Sequence, residues 1–201
     1  MLEESNHIME AESKHKVVLI GDPMVGKTSI LSRLTKGYFK TDYCSTVGTG
    51  CGVWESSNGH DKTKLQIWDT AGQERYRSLG RIFYHNAEAA VLVVSQAKPW
   101  TEKTADEWVK EFQDVAGDET HVIIAANQAD ISQSDSISIQ EWAKRRKFTL
   151  VETSAKTGQG VRELFELIAL MLRKSNERQS AFTEFKKTIA DECKPKFSTC
   201  C

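Results

Sequence analysis

The 201-residue sequence predicts an α/β fold: a six-stranded, mostly parallel sheet with one antiparallel edge strand and helices on both faces. Two observations carry this. From Lys16 onward, short apolar runs alternate with amphipathic stretches, the pattern of strands and helices taking turns in a layered structure. Between the second and third apolar runs stand Asn58 and Gly59, turn residues of the kind that join antiparallel strands. At 22.6 kDa the chain is one domain with a remainder. The expected organisation is an N-terminal extension at 1–15, a single domain at 16–174 and a tail at 175–201.

The elements follow in order. Val17 to Ile20 is unbroken apolar sequence and opens the sheet, and a helix is predicted from Gly26 to Thr35. Cys51 to Ser56 and Lys64 to Trp68 are the hairpin strands, the latter marked by the alternation of Leu65, Gln66 and Ile67. A helix is expected around Arg75 to Tyr84. The strand at Ala90 to Val94 lies in the longest apolar run, far short of the ~20 residues that cross a bilayer. A helix from Glu102 to Val115 and a strand from Val122 to Ala126 come next. Ser138 and Glu141 read as a capping box opening a helix from Ile139 to Arg146. A strand at Leu150 to Glu152 precedes the last helix, Val161 to Arg173, whose Val161, Leu164, Phe165, Ile168 and Leu172 share one face.

Charge and composition exclude several functions. A net charge of −1 lacks the basic footprint of a sequence-independent nucleic-acid binder, so no nucleic-acid partner is expected. Met1 to Lys16 carries four glutamates and no signal-length apolar stretch, which predicts a cytosolic chain. Cysteines at 44, 51, 193, 200 and 201 form no C-x-x-C pair and signal neither a disulfide framework nor a zinc site. From Arg173 onward strong periodicity is lost and seven basic residues face four acidic ones, as in a solvated linker ending at a membrane surface. Trp54, Trp100, Trp108 and Trp142 are expected in packing, and the five histidines at the surface with no catalytic triad.

The chemistry lies in two runs. Gly21-Asp22-Pro23-Met24-Val25-Gly26-Lys27-Thr28 matches G-x-x-x-x-G-K-[ST] between a buried strand and a helix start. Loop amides and the positive helix end cradle a polyphosphate, Lys27 neutralises β and γ oxygens, and the Thr28 hydroxyl ligates Mg²⁺. Pro23 contributes no N–H and Met24 adds bulk, but Met24 to Thr28 still offer amides. At the end of the Leu65 strand, Trp68-Asp69-Thr70-Ala71-Gly72-Gln73-Glu74 offers a carboxylate for the Mg²⁺ shell, a glycine amide for a γ-phosphate, and a glutamine able to orient water.

These two runs and Ser154-Ala155-Lys156 together resemble a small GTPase of the Ras superfamily, with a P-loop GTPase domain over roughly Lys16 to Lys174. Lys64 to Trp68, Arg75-Tyr76-Arg77-Ser78-Leu79 and the terminal Cys200-Cys201 resemble its Rab branch. The resemblance implies a GTP/GDP switch that regulates vesicle-mediated membrane traffic by GTP hydrolysis. Asp22, Met24, Val25, Gly26, Lys27, Thr28 and Ser29 then bind nucleotide, with Gln73 and Lys27 catalytic. Thr46 reaches Mg²⁺ and the γ-phosphate, joining Thr28 and Asp69 as metal residues, and Gly72 gives an amide. Phe39 lies against the guanine, Asn127 and Asp130 read it, Gln128 stands beside them, and Ser154, Ala155 and Lys156 complete its pocket. Cys200 and Cys201 would be geranylgeranylated, two lipid chains anchoring stably where one is marginal. The implied partners are an exchange factor, a GTPase-activating protein, a GDP-dissociation inhibitor and effectors. The implied location is the cytosol and the cytoplasmic face of an internal membrane.

The sequence departs from the family pattern in places. Asn127-Gln128-Ala129-Asp130 has glutamine where the family has lysine, and its shorter neutral stem predicts faster nucleotide release than Gln128→Lys. Ser95-Gln96-Ala97-Lys98 replaces an acidic turn-forming sequence. Cys51 stands where the Rab branch has an aromatic residue, leaving Trp68 and Phe83 as two of a partner-reading trio. Two other readings stay open: a guanine-nucleotide-binding module with negligible turnover, suggested by Pro23, Met24 and Gln128, and a P-loop kinase, against which the Asp69 run and the Asn127/Asp130 pair argue.

Overall fold

The computed structural model describes residues 14–40, 49–56, 62–70, 80–131 and 135–192, with 177–192 as helix backbone. Six strands, β1 (Lys14–Ile20), β2 (Thr49–Glu55), β3 (Lys64–Thr70), β4 (Ala89–Ser95), β5 (His121–Asn127) and β6 (Thr149–Glu152), form one sheet in the order β2-β3-β1-β4-β5-β6. All neighbours are parallel except β2 and β3, which pair antiparallel from Thr49 opposite Thr70 to Glu55 opposite Lys64. The helices are α1 (Lys27–Lys36), α2 (Glu102–Ala116), α3 (Ser136–Arg146) and α4 (Val161–Glu192), with a single 3-10 turn at Arg81–Tyr84.

The apolar runs are buried because helices cover both faces of the sheet. Alternate strand residues serve opposite layers. Val17, Leu19, Val91 and Ile123 meet Ile30 and Leu31 of α1 and Leu164, Phe165 and Ile168 of α4. Val18, Ile20, Leu92 and Ile124 meet Trp108 and Phe112 of α2 and Ile139 and Trp142 of α3. All seven residues of β4 are buried, as befits a strand in the middle of a sheet covered on both sides. Parallel order brings the C-terminal ends of β1, β4 and β5 to one edge, where the loops after them can converge.

The structure corrects several expectations. Ser138 does not cap α3: the helix starts at Ser136, Asp135 is its N-cap without a side-chain bond, and the Ser138 hydroxyl donates back to the Asp135 carbonyl at 2.8 Å. A serine inside a first turn satisfies itself on the preceding carbonyl in this way. The last helix runs to Glu192, well past Arg173. Neither Gly nor Pro occurs between Gly160 and Pro195, so no helix breaker stops it at Arg173; among the described side chains the last core residue is Leu172. His15 is not a surface residue: it lies buried in β1 with Nδ1 donating to Glu88 at 2.8 Å, and His121 is half-buried. Trp108 and Trp142 are core, as expected, and Trp54 packs on Phe165. The Asn58-Gly59 turn and the first part of the helix expected around Arg75 lie outside the described residues.

Candidate functional site

The loop from β1 to α1 owes its path to two glycines. Gly21 has φ +130°, and a Cβ there would stand 2.4 Å from the Val93 carbonyl oxygen of β4. Gly26 has φ +99°, and a Cβ there would meet Asn127 Nδ2 at 2.3 Å. Only glycine accepts both the left-handed backbone and the close approach. Gly26 is also the N-cap of α1 and offers no side chain to its first amides, so the positive end of the helix opens directly into the loop.

Lys27 is 6 % exposed and its ammonium donates to the Gly21 carbonyl at 2.7 Å and the Asp22 carbonyl at 2.8 Å. Burial pushes its pKa down to about 8, against the pull of Asp69 and Asp22. Beside it the Thr28 hydroxyl donates to Asp69 Oδ2 at 2.6 Å. Asp69, near the end of β3, is 1 % exposed. Burial raises its pKa, opposed by the Thr28 bond and the Lys27 charge. Its other oxygen, Oδ1, is buried and has no hydrogen-bond partner among the described residues. The next residue, Thr70, donates to the Leu19 carbonyl at 2.7 Å and locks β3 to β1 at this point.

Side chains from elsewhere brace the loop. Trp108 Nε1 of α2 donates to Asp22 Oδ1 at 2.9 Å, on one side of a cavity of about 70 Å³ between the loop, the end of β4 and α2. Asn127 Nδ2 donates to the Val25 carbonyl at 2.8 Å, while Asn127 Oδ1 accepts from the Ala155 amide and the Thr153 hydroxyl, each at 3.2 Å. Buried and bonded through both its amide nitrogen and its amide oxygen, Asn127 clamps the loop after β1 to the loop after β6. Gln128 Nε2 donates to the Met24 carbonyl at 3.1 Å. Asp130 Oδ1 accepts from the Ser154 hydroxyl at 2.6 Å, and Lys156 Nζ lies 3.8 Å from its Oδ2. Arg33 of α1 holds this loop from below, donating to the Ala155 carbonyl at 2.8 Å and the Lys156 carbonyl at 2.5 Å.

The structure thus gathers Asp22 to Lys27, Thr28 and Asp69 at one end, and Asn127, Gln128, Asp130, Ser154, Ala155 and Lys156 at the other. Ser29 lies in the first turn of α1. Phe39 is half-buried against the core on the α1 and α4 side. Thr46, Gly72, Gln73, Cys44, Cys200 and Cys201 lie outside the described residues. Arg33 and Trp108 escaped the sequence reading because neither sits in a spaced motif. Of the incomplete aromatic trio, Trp68 packs against the core on the α2 and α3 side of the sheet. Trp68 and Phe83 have ring centroids 5.2 Å apart, and exposed Cys51 lies across from Trp68 on β2.

A family profile described as Ras family matches residues 16–174. The curated relatives include Ras-related protein Rab-11A of Dictyostelium discoideum, 33 % identical over 183 residues that cover 90 % of this chain and 86 % of the relative. With a glycine-shaped loop, a buried lysine and a Thr–Asp pair at the mouth of a six-stranded sheet, and with these matches, the chain belongs to the Ras family as a Rab-like small GTPase.

Proposed function

We propose that this GTPase works as a GTP/GDP switch in vesicle-mediated membrane traffic, with the residues at the ends of β1, β3 and β5 as its nucleotide site. The observation that carries the site is the convergence of Lys27, Thr28 and Asp69 at the open N-terminus of α1. There the amides of Met24 to Thr28 and the helix dipole favour phosphate oxygens. Lys27, held by two carbonyls, is placed to transfer its hydrogen bonds to the β and γ oxygens.

The residues present fit Mg²⁺. Asp69 Oδ1 is a buried acceptor without a hydrogen-bond partner among the described residues, and the Thr28 hydroxyl beside Oδ2 is a hard oxygen ligand. Thr28, Asp69 and Thr46 would hold the ion. Bound there, the ion would supply charge neutralisation for the polyphosphate. Lys27 shares that work, Gln73 orients the attacking water, and Gly72 contributes an amide to the γ-phosphate. Loss of that phosphate releases the Thr46 and Gly72 contacts, which makes hydrolysis the off-signal.

Asp130 accepts from the N1 and N2 donors of guanine, a pattern adenine lacks, while the Ala155 amide meets the base oxygen and Phe39 and Lys156 flank the ring. Asn127 acts chiefly as the clamp between the two loops. An activating partner supplies any arginine finger, worth about 10³ to 10⁵ in rate in such enzymes. Exchange factor, GDP-dissociation inhibitor and effectors complete the cycle. No helix among the described residues is long and apolar enough to cross a membrane, and the reading assigns attachment to two prenyl groups on Cys200 and Cys201. The test is single-turnover hydrolysis: wild type converts bound GTP to GDP, and Gln73→Leu retains GTP unhydrolysed. Equal turnover in the two removes Gln73 from the mechanism, and no turnover in wild type leaves a binding module.

A further inference from the structure

Two departures from the family pattern meet in space. Ser95 ends β4, Gln128 follows β5, and the Ser95 hydroxyl donates to Gln128 Oε1 at 2.5 Å. The other arm of that amide, Nε2, donates to the Met24 carbonyl in the phosphate loop at 3.1 Å. Ser95 is 2 % exposed, and its oxygen also accepts from the Ala97 amide at 3.1 Å, so its single proton is directed at Gln128. A carboxamide whose oxygen is held on one side must present its NH₂ on the other. The serine therefore decides which way the glutamine faces.

Both ends of the link are conformationally unusual. Met24 has φ 64° and Gln128 φ 67°, left-handed values that favour glycine. The adjacent Asn127 takes the adjacent carbonyl, Val25, at 2.8 Å. Two consecutive side chains thus hold two consecutive loop carbonyls. In a planar trans peptide the C=O and N–H point opposite ways. Fixing the Met24 carbonyl therefore sets the direction of the Val25 amide, as fixing the Val25 carbonyl sets that of Gly26.

We infer that Ser95 and Gln128 form a neutral two-residue relay that aims the Val25 amide at the phosphates, making Ser95 a positioning residue for nucleotide retention. The inference rests on the nucleotide site proposed above. A lysine at 128 needs no such partner, because an ammonium has three donors and no face to choose. The relay therefore predicts coupling between the two positions, which a plain structural role for Ser95 in β4 does not.

The experiment is release of fluorescently tagged GDP from Mg²⁺-loaded full-length protein. It compares wild type, Ser95→Ala, Gln128→Met, Gln128→Lys and Ser95→Ala combined with Gln128→Lys. Ser95→Ala and Gln128→Met each speed release about three- to tenfold, the scale of one hydrogen bond, and Ser95→Ala changes the Gln128→Lys rate by less than about twofold. Equal acceleration in both backgrounds, or none in Ser95→Ala, overturns the relay. Should Ser95→Ala fail to fold, Gln128→Met decides: faster release than both wild type and Gln128→Lys supports the relay, and an unchanged rate overturns it. A wild type that holds no tagged GDP defeats the site itself, an outcome separate from all of these.

Discussion

At the proposed base end of the site the polar side chains already have partners within the chain, whereas at the proposed phosphate end a buried carboxylate oxygen has none among the described residues. Asn127, Asp130 and Ser154 are bonded to one another's loops, and Arg33 fixes two carbonyls behind them. Asp69 Oδ1 is buried without a hydrogen-bond partner among the described residues, and burial lowers the pKa of Lys27 to about 8. An unsatisfied buried acceptor costs about 1 to 3 kcal/mol. The difference teaches a division of labour. In the proposed site the base end is bonded within the chain before any ligand arrives and would select by hydrogen-bond pattern. The proposed phosphate end holds charges that a polyphosphate and a cation would complete, so that binding there would stabilise the domain.

The largest way to break the comparison is Lys27→Ala. It removes the phosphate-end cation, and with it one of the two influences that oppose the burial-driven rise of the Asp69 pKa. GDP affinity by calorimetry falls by at least about a hundredfold. Next is Asp69→Asn, which relieves a buried charge while weakening the metal corner. Its ligand-free protein melts higher than wild type by differential scanning calorimetry, and chelation of Mg²⁺ accelerates GDP release much less than in wild type.

Asp130→Asn acts at the base end. It replaces a charged acceptor for guanine donors and lowers GDP affinity about tenfold to a hundredfold, with the Mg²⁺ response intact in chelation experiments. The pH dependence separates the ends further. The Lys27 pKa in the folded, ligand-free protein lies below its ordinary 10.5, so the unfolded chain binds more protons between about 8 and 10.5. Ligand-free stability therefore rises with pH across that window. GDP affinity falls there instead, by up to about tenfold per pH unit above 8, because binding needs the ammonium. A flat affinity between pH 7 and 9.5 would contradict this. The smallest effect is Trp108→Phe, which removes one hydrogen bond to Asp22 and speeds GDP release about fivefold.

The sequence made the backbone-determined half of this picture legible. The spacing of Gly21, Gly26, Lys27 and Thr28 reflects a loop whose path only glycine permits, so motif and geometry coincide. Asp69 followed from its place at a strand terminus, and the antiparallel hairpin from alternation and a turn. Arg33, Trp108 and the Ser95–Gln128 contact were not legible, because each joins residues far apart in the chain through side chains that any packed surface could carry. Ser138 was misread because the same serine chemistry serves a cap and a first-turn back-bond. Gln128 looked from sequence like a loss, its short stem unable to cover a base, yet its amide reaches the phosphate loop.

The most direct measurement is nucleotide retention by purified, nucleotide-stripped protein offered GDP or ADP at micromolar concentration, with and without Mg²⁺. The account predicts that GDP is held at one per chain, far more slowly released with Mg²⁺ than without, and that ADP is not held. Retention of ADP equal to GDP would contradict the proposed base end, and GDP release indifferent to Mg²⁺ would contradict the role given to Thr28 and Asp69.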